Sequence, residues 1–231
     1  MKQVLFALTF ALCASPVAAQ VDVGYPPPKS PYRDLEFKQE ATVFGGYFFA
    51  AEDAARVAPR SGPMMGVRYE VTVGGPAQLV ARLARVNSER KVIDPSLPRA
   101  TRDLGIQSWP LYIADVGLSL NLTGQRSWHG VVPVVFAGAG LASDLDKQDD
   151  DDPFNLGTTF ALSLAGGLRI VPGGRFQLRA DAGTYIYQIK YPGAYYGLTS
   201  DNTSVLDSKQ VKNFWKRNFG LTLGASYLLF R

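Results

Sequence analysis

Apolar side chains recur at every second position in several stretches of the chain, which is the pattern of a β-strand with two different faces. In residues 65–73, apolar side chains alternate with small, polar or charged ones, and residues 158–170 and 221–229 repeat this pattern. Five further stretches fit less cleanly: Ala41–Ala50, Ala77–Val86, Trp109–Leu122, Val131–Ser143 and Arg175–Tyr191. The pattern predicts an all-β protein of about eight strands, an even number as in outer-membrane barrels. The stretch 131–143 is apolar on both faces, and the pattern does not orient it.

The connections between the predicted strands alternate between two lengths. Val73–Pro76 and Pro172–Arg175 are tight turns, and Thr123–Gly130 is a somewhat longer connection on the same side. The other connections are long and polar: Glu52–Gly62, Asn87–Ser108, Asp144–Gly157 and Pro192–Arg217. Short turns on one side and long loops on the other are typical of barrels inserted from the periplasm. The sequence therefore predicts an eight-stranded antiparallel up-and-down transmembrane β-barrel with short periplasmic turns and long extracellular loops.

A soluble β-sandwich or lipocalin-like barrel is the alternative, because it also contains many alternating strands. It would direct its apolar face inward, whereas a membrane barrel directs that face towards lipid. One predicted strand face is almost purely apolar along several segments, and the other is rich in Gly, Ala, Ser and Thr with a few charges. This distribution favours the membrane barrel and predicts the cell outer membrane as its location.

The first residues have the pattern of a secretory signal peptide. Lys2 supplies the positive charge, residues 4–12 form a short apolar segment, and residues 17–19 offer small side chains for cleavage. A cytosolic protein with an apolar start is the alternative. We expect a signal peptide over 1–19, a proline-containing periplasmic leader over 20–40 and the barrel over 41–231.

The composition excludes several classes of site. The only cysteine, Cys13, lies in the predicted signal peptide, so neither disulfides nor thiolate metal sites are expected. The formal net charge of +4 is spread along the chain without a basic stripe, so no nucleic-acid partner is expected. No cofactor-binding fingerprint is present, and no cofactor or metal is predicted.

The signal, the alternating strands, the glycine-rich segment 133–141 and the final strand together resemble the small bacterial outer-membrane β-barrel superfamily, the OmpA and OmpX kind. The resemblance covers about 41–231. It implies outer-membrane lipid, lipopolysaccharide and the barrel-insertion machinery as partners. The last strand of this family usually ends in an aromatic residue that the insertion machinery recognises. Here Phe230 is followed by Arg231, which departs from that pattern.

Charged residues on the inward strand faces form the first candidate site. An eight-stranded barrel has an interior just wide enough for side chains, where charges must pair. The alternation along each predicted strand directs these side chains into the barrel, where we expect a salt-bridged plug. A proton or ion path is the alternative. The predicted network comprises Arg68, Glu70, Arg82, Asp115, Arg169, Arg179 and Asp181.

Two further clusters lie at the ends of the predicted strands. Clustered carboxylates can bind Ca²⁺ or Mg²⁺, although a solvated loop tip is the favoured interpretation. This candidate divalent-cation loop comprises Asp144, Asp146, Asp149, Asp150, Asp151 and Asp152. Aromatic residues at barrel rims form membrane-interface girdles, and neighbouring cations can pair with lipopolysaccharide phosphates. The predicted girdle comprises Trp109, Tyr112, Trp128, Phe214 and Trp215.

An enzyme is not predicted. Barrel enzymes need a base, usually His, near a Ser on the outer side, whereas Ser127 and His129 lie in a connection on the short-turn side. The predicted function is that of an outer-membrane barrel with a side-chain-plugged lumen in a structural or surface-interaction role. A narrow channel for small hydrophobic molecules is the alternative, followed by a lipid A-modifying enzyme.

Overall fold

Twelve strands and one short 3-10 helix account for the regular structure in the computed structural model, which describes residues 30–35, 38–146 and 153–230. Eight long strands form the barrel: β2 (Gln39–Phe49), β3 (Gly62–Gly74), β4 (Ala77–Val86), β7 (Leu111–Asn121), β9 (Val131–Ser143), β10 (Thr158–Ile170), β11 (Phe176–Lys190) and β12 (Asn213–Phe230). The smaller elements are β1 (Tyr32–Asp34), β5 (Glu89–Ile93), β6 (Asp103–Ser108), β8 (Arg126–Trp128) and the 3-10 helix Gly193–Tyr196.

The eight long strands close into a complete ring. Each pairs antiparallel with its neighbours in the chain, β7 pairs with β9, and β12 returns to pair with β2. Closure leaves no free edge, which is how a sheet satisfies its backbone hydrogen bonds within lipid. The prediction of an all-β, eight-stranded antiparallel barrel is therefore confirmed.

The first barrel strand begins at Gln39 rather than at the predicted Ala41. Just before it, β1 pairs with β8 in the connection between β7 and β9, so part of the predicted leader contributes a short strand. The predicted signal peptide 1–19 and residues 20–29 and 36–37 of the leader lie outside the described residues. No helix among the described residues is long and apolar enough to span a bilayer, a finding that does not bear on spanning by strands.

The two faces of the barrel wall differ sharply in character. Outward-facing residues such as Val67, Val116 and Leu223 are 53%, 56% and 71% exposed, and similar apolar side chains surround the wall. Strand β9, which the sequence pattern did not orient, directs Val134 and Phe136 inward. An apolar surface of this extent requires a hydrocarbon environment, and the wall is that of a membrane-spanning barrel.

Inward-facing glycines make room for the large side chains that fill the barrel. A Cβ at Gly138 would lie 2.6 Å from Phe136 Cζ, and one at Gly220 would lie 2.9 Å from Tyr185 Cε2. At Gly167, a Cβ would lie 2.2 Å from the carboxylate of Asp181. Since real Cβ atoms do not approach other atoms so closely, the small residues on this face allow the interior to pack.

The interior has two layers. The half nearest the short turns contains the charged residues described below, and the half nearest the long loops contains an apolar cluster that includes Phe48, Ile113 and Tyr187. All four long connections contribute buried residues to this cluster: Ala55, Val57, Ala58, Ile93, Phe154, Leu156, Tyr195 and Leu206. The loops therefore pack over the mouth of the barrel as a loop cap.

The last strand is longer than the sequence pattern suggests. Strand β12 begins at Asn213, whereas the predicted loop extended to Arg217. Residues 213–217 pair with β11 up to Lys190, but Lys216 and Arg217 interrupt the alternation that marks the rest of the strand. These charged residues therefore concealed the first part of the strand from the sequence pattern.

We expect Gly167→Ala to destabilise the barrel by about 1–3 kcal/mol, because its Cβ would displace Asp181 and the backbone of β11. The adjacent Gly166→Ala is the matched control. A Cβ there would lie no closer than 4.0 Å to the Val134 carbonyl oxygen, and its effect should stay within about 0.5 kcal/mol. Urea unfolding in lipid vesicles, followed by gel migration with and without heating, measures both. Equal effects at the two positions would contradict this packing.

Candidate functional site: the barrel interior and the loop cap

Glu70 is the centre of the first group of interior charges. Its Oε2 lies 2.7 Å from Arg169 Nη2 and 2.9 Å from Arg179 Nη1. Arg169 also donates to Gln78 Oε1 at 3.1 Å and lies 3.6 Å from the carboxylate of Glu40. These residues are almost fully buried, so each carboxylate is held by guanidinium groups rather than by solvent.

Asp181 connects this group to the next. Its Oδ2 accepts hydrogen bonds from Arg179 Nε at 2.7 Å and from Arg68 Nη1 at 3.1 Å. Arg179 therefore bridges two carboxylates, those of Glu70 and Asp181, through different nitrogens of one guanidinium. Planar guanidinium groups suit such bridging, because their donors point in fixed directions.

Arg82 and Asp115 form the third group. Arg82 donates from Nε at 3.0 Å and from Nη2 at 2.6 Å, which is a two-point contact, and Ser163 Oγ donates to the same carboxylate at 2.7 Å. The Arg82 guanidinium also lies over the rings of Phe136 and Tyr185, at 4.9 and 5.0 Å from their centroids. Paired charges and cation–π contacts together hold this guanidinium in place.

The structure thus brings all seven predicted interior charges inside the barrel, in linked groups. Sequence reasoning missed Glu40, Gln78 and Ser163 as members. Glu40 was missed because it precedes the predicted first strand. Gln78 and Ser163 are polar residues at inward positions, so the alternation of their strands could have identified them. With Glu40 included, four arginines face four carboxylates in this layer: Arg68, Arg82, Arg169 and Arg179 against Glu40, Glu70, Asp115 and Asp181. The layer is formally neutral.

Arg90 ties the loop cap together from the other layer. It donates to the carbonyl of Phe154 and to Asn155 Oδ1, and lies 3.9 Å from Asp144. Its guanidinium stacks over Trp109 at 4.0 Å. Trp109 was predicted for the membrane-interface girdle. The tryptophan is instead half-buried under this guanidinium, because the β5–β6 hairpin folds back over the start of β7.

Two tyrosines complete the cap. Tyr195 accepts a hydrogen bond from the Phe154 amide at 3.1 Å and donates to the Ile93 carbonyl at 3.3 Å. Burial raises the pKa of Tyr195 to about 12, so its hydroxyl remains a neutral donor. Tyr191 donates to Asp53 at 2.8 Å, which joins the first long connection to the last. The cap is therefore linked by directional contacts as well as by apolar packing.

The candidate divalent-cation loop is described only in part. Asp144 is buried, and its oxygens accept hydrogen bonds from the amides of Leu156 at 2.8 Å and Asp146 at 3.2 Å. Asp144 therefore anchors the loop backbone. Asp149, Asp150, Asp151 and Asp152 lie outside the described residues. Within the part of the chain that is described, no group of three or more His, Cys, Asp or Glu is arranged to hold a metal ion.

The other predicted girdle residues divide between the two faces. Trp128 and Trp215 are about half exposed on the outside, and Tyr112 lies on the outward face of β7 beneath the guanidinium of Arg85. Phe214 does not belong to the girdle. Alternation along β12 directs it inward, where its ring lies 5.4 Å from that of Tyr191.

Ser127 and His129 lie in the connection after β7. The Ser127 hydroxyl donates to the Arg33 carbonyl at 3.4 Å, and the His129 amide donates to the Pro31 carbonyl at 2.9 Å. The His129 ring packs against Trp128 with centroids 4.8 Å apart. Both residues therefore hold β1 against the short-turn end of the barrel.

We expect Arg179→Leu to lower the free energy of unfolding by about 3–5 kcal/mol, because it leaves Glu70 and Asp181 without the cation that bridges them. Arg126→Leu is the control. It removes a comparable ion pair with Asp34 whose side chains are 64% and 75% exposed, and should cost about 1 kcal/mol or less. Urea unfolding in vesicles compares the two variants. A wild-type midpoint for Arg179→Leu would contradict an internal network.

Comparisons with known proteins concern the fold. No protein-family model matches the sequence, and no curated protein sequence matches it. Neisserial surface protein A is 13% identical over 83% of this chain and 97% of its own, with a TM-score of 0.49. The outer-membrane protein OprG of Pseudomonas aeruginosa is 10% identical over 86% of this chain and 99% of its own, with a TM-score of 0.48. The N-terminal β-barrel domain of Pseudomonas aeruginosa OprF is 11% identical over 84% of this chain and 100% of its own, with a TM-score of 0.44.

At these identities the similarity extends only to architecture, and the assignment depends on this chain's own geometry. Strands β2 and β12 meet to close the ring, and an apolar surface surrounds it where lipid must lie. Because a closed ring with this surface is suited to span a membrane, the chain forms a small eight-stranded antiparallel membrane-spanning β-barrel, the architecture found in outer-membrane proteins.

Proposed function

We propose that this protein is a non-conducting outer-membrane barrel with a structural or surface-interaction role, which presents its loop cap at the cell surface. The observation that supports the proposal is the presence of two successive layers of buried side chains inside the barrel. The charged layer spans the interior between Glu40 and Asp115, and the apolar cluster lies between it and the loops.

Each layer opposes the passage of ions and solutes for a different reason. In the charged layer, a passing ion would have to break short ion pairs such as Arg82–Asp115. Breaking such a pair leaves buried charges without partners, which costs on the order of several kcal/mol. In the apolar layer, side chains such as Phe48 and Tyr187 are fully buried, so a hydrated ion would lose its water without replacement ligands. These two barriers in series support a closed lumen.

The outer end of the barrel supports a role in surface contact. The β5–β6 hairpin forms a separate two-stranded sheet, and every residue of β6 is exposed, including Leu104 and Ile106. Hydrogen bonds of Arg90, Tyr191 and Tyr195 hold the adjoining loop cap together, which restrains the position of the hairpin. Outward-facing Trp215 and Arg217 lie where lipid headgroups and lipopolysaccharide phosphates would meet the wall.

We expect the wild-type protein to produce no discrete conductance steps in planar bilayers, because an ion would have to cross both a layer of paired charges and a layer of buried apolar side chains. The folded protein, identified by its altered gel migration after heating, should be compared with a general diffusion porin that is reconstituted in the same way. Reproducible single-channel steps from the folded barrel would contradict a closed lumen and would favour the channel alternative.

The orientation makes a second prediction. Because Cys13 is the only cysteine and lies in the predicted signal peptide, introduced cysteines report their own position. On intact cells, a membrane-impermeant maleimide should label Leu104→Cys in β6. Gln125→Cys, in the connection on the short-turn side, should react only after the outer membrane is permeabilised. Labelling of Gln125→Cys on intact cells, with protection of Leu104→Cys, would reverse the orientation.

A further inference from the structure

A separate cavity lies at the rim of the barrel beneath the first long connection. Its volume is about 360 Å³, and residues 50–53, 56 and 58–61 surround it together with Glu89 and Lys216. The connection is tied down beside it, since the Ala51 amide donates to Asn218 Oδ1 at 3.2 Å and the Ala50 amide donates to Ser61 Oγ at 2.8 Å. We call this cavity the rim cavity. It shares no residue with the charged layer and borders the apolar cluster at Ala58.

Lys216 is the unusual member of its lining. The residue is only 4% exposed, yet no carboxylate oxygen of the described residues lies within the 4.0 Å of Nζ that defines a salt bridge. The negative charges of Asp53 and Glu52 attract the Lys216 ammonium, but both carboxylates lie beyond this distance. A buried ammonium without a close counter-charge is costly, and this cost favours a ligand that brings a negative charge.

The two acidic neighbours are engaged elsewhere. The Asp53 carboxylate accepts hydrogen bonds from the amides of Val57 at 3.3 Å and Ala58 at 3.1 Å, and from the Tyr191 hydroxyl at 2.8 Å. Glu52 is 85% exposed at its side chain and lies 3.9 Å from Arg56. Asp53 thus shapes the connection and Glu52 faces solvent, so neither neutralises Lys216 at contact distance.

Further cations line the same cavity. Arg56 and Arg60 belong to the connection that covers Lys216, and both contribute to the lining. Guanidinium groups bind phosphate oxygens through several donors at once, and an ammonium adds a strong point charge. The lining also includes the carboxylates of Glu52 and Glu89, which can accept a hydrogen bond from a ligand, and that of Asp53, which is already engaged. Hydrogen phosphate and protonated phosphate monoesters offer such a donor, whereas sulfate does not.

We propose that the rim cavity binds a phosphate or phosphate-monoester group, held by Lys216 with Arg56 and Arg60. Two sources present this chemistry at the cell surface: free inorganic phosphate and the phosphate monoesters of lipid A in the surrounding leaflet. Binding at the rim does not depend on whether the lumen is closed, so this proposal and the proposed function can fail separately.

The test is calorimetric titration of the folded barrel with inorganic phosphate, in maltoside micelles and phosphate-free buffer at constant ionic strength. Wild type should show saturable binding. Lys216→Met, which keeps the length and removes the charge, should weaken it by about tenfold or more, as expected for a lost charge-assisted contact. Lys209→Met, at an exposed position outside the cavity, should bind like wild type. Sulfate should bind more weakly than phosphate.

Unfolding by urea provides an independent readout. Phosphate should raise the wild-type midpoint beyond the general effect of the salt, since a ligand that binds only the folded state stabilises it. Phosphate should raise the unfolding midpoint of Lys216→Met no more than chloride does at the same ionic strength. If Lys216→Met fails to fold, Arg60→Met, at an exposed position, serves as the second variant and should weaken binding about threefold or more. Absence of saturable binding to wild type, or wild-type affinity in the variant that folds, would overturn the proposal.

The same titration separates the two sources when it is repeated in phosphatidylcholine nanodiscs with and without lipid A. Phosphatidylcholine carries only a phosphodiester, so it leaves the cavity free for inorganic phosphate. If lipid A is the natural occupant, its presence should suppress phosphate binding, and removal of its phosphates should restore that binding. Unchanged phosphate binding in the presence of lipid A identifies the free ion as the occupant.

Discussion

The closure of eight strands into one ring is the constraint on which the other features of this structure depend. Eight strands give an interior just wide enough for side chains, so every inward position must be small, paired or packed. Gly138 and Gly167 leave space for Phe136 and Asp181, and a formally neutral set of arginines and carboxylates occupies the layer near the short turns. The outside of the same strands meets lipid and is apolar for that reason.

The strands could be predicted from the sequence because a wall between lipid and a polar interior imposes a strict two-residue period. The inward placement of Arg68 and Asp181 followed from this period alone. The partner of each charge did not, since Arg179 contacts Glu70 across the interior, 109 residues away in the chain. Phe214 was misplaced because Lys216 and Arg217 interrupt the alternation, so the pattern loses its phase at the start of β12.

The long connections were less predictable than the wall. Their composition is polar, and their few apolar residues, such as Val57, Phe154 and Leu206, have no periodic spacing in the chain. They become a cluster only when four loops converge over one mouth. Trp109 illustrates the difficulty: an aromatic residue at a rim is expected to face lipid, but the β5–β6 hairpin brings Arg90 over its ring instead. Such contacts depend on how separate loops fold back, which local sequence does not encode.

Charge compensation distinguishes the rim cavity from the rest of the interior. In the charged layer, each buried arginine has a carboxylate partner within a few ångströms, for example Arg82 with Asp115 at 2.6 Å. Such compensation lets ions remain buried in a low-dielectric interior without solvent. Lys216 is equally buried, but its acidic neighbours are committed to the backbone, to a tyrosine hydroxyl or to solvent. Its ammonium is therefore left to be balanced by a ligand, and a phosphate group has the charge and the size to do so.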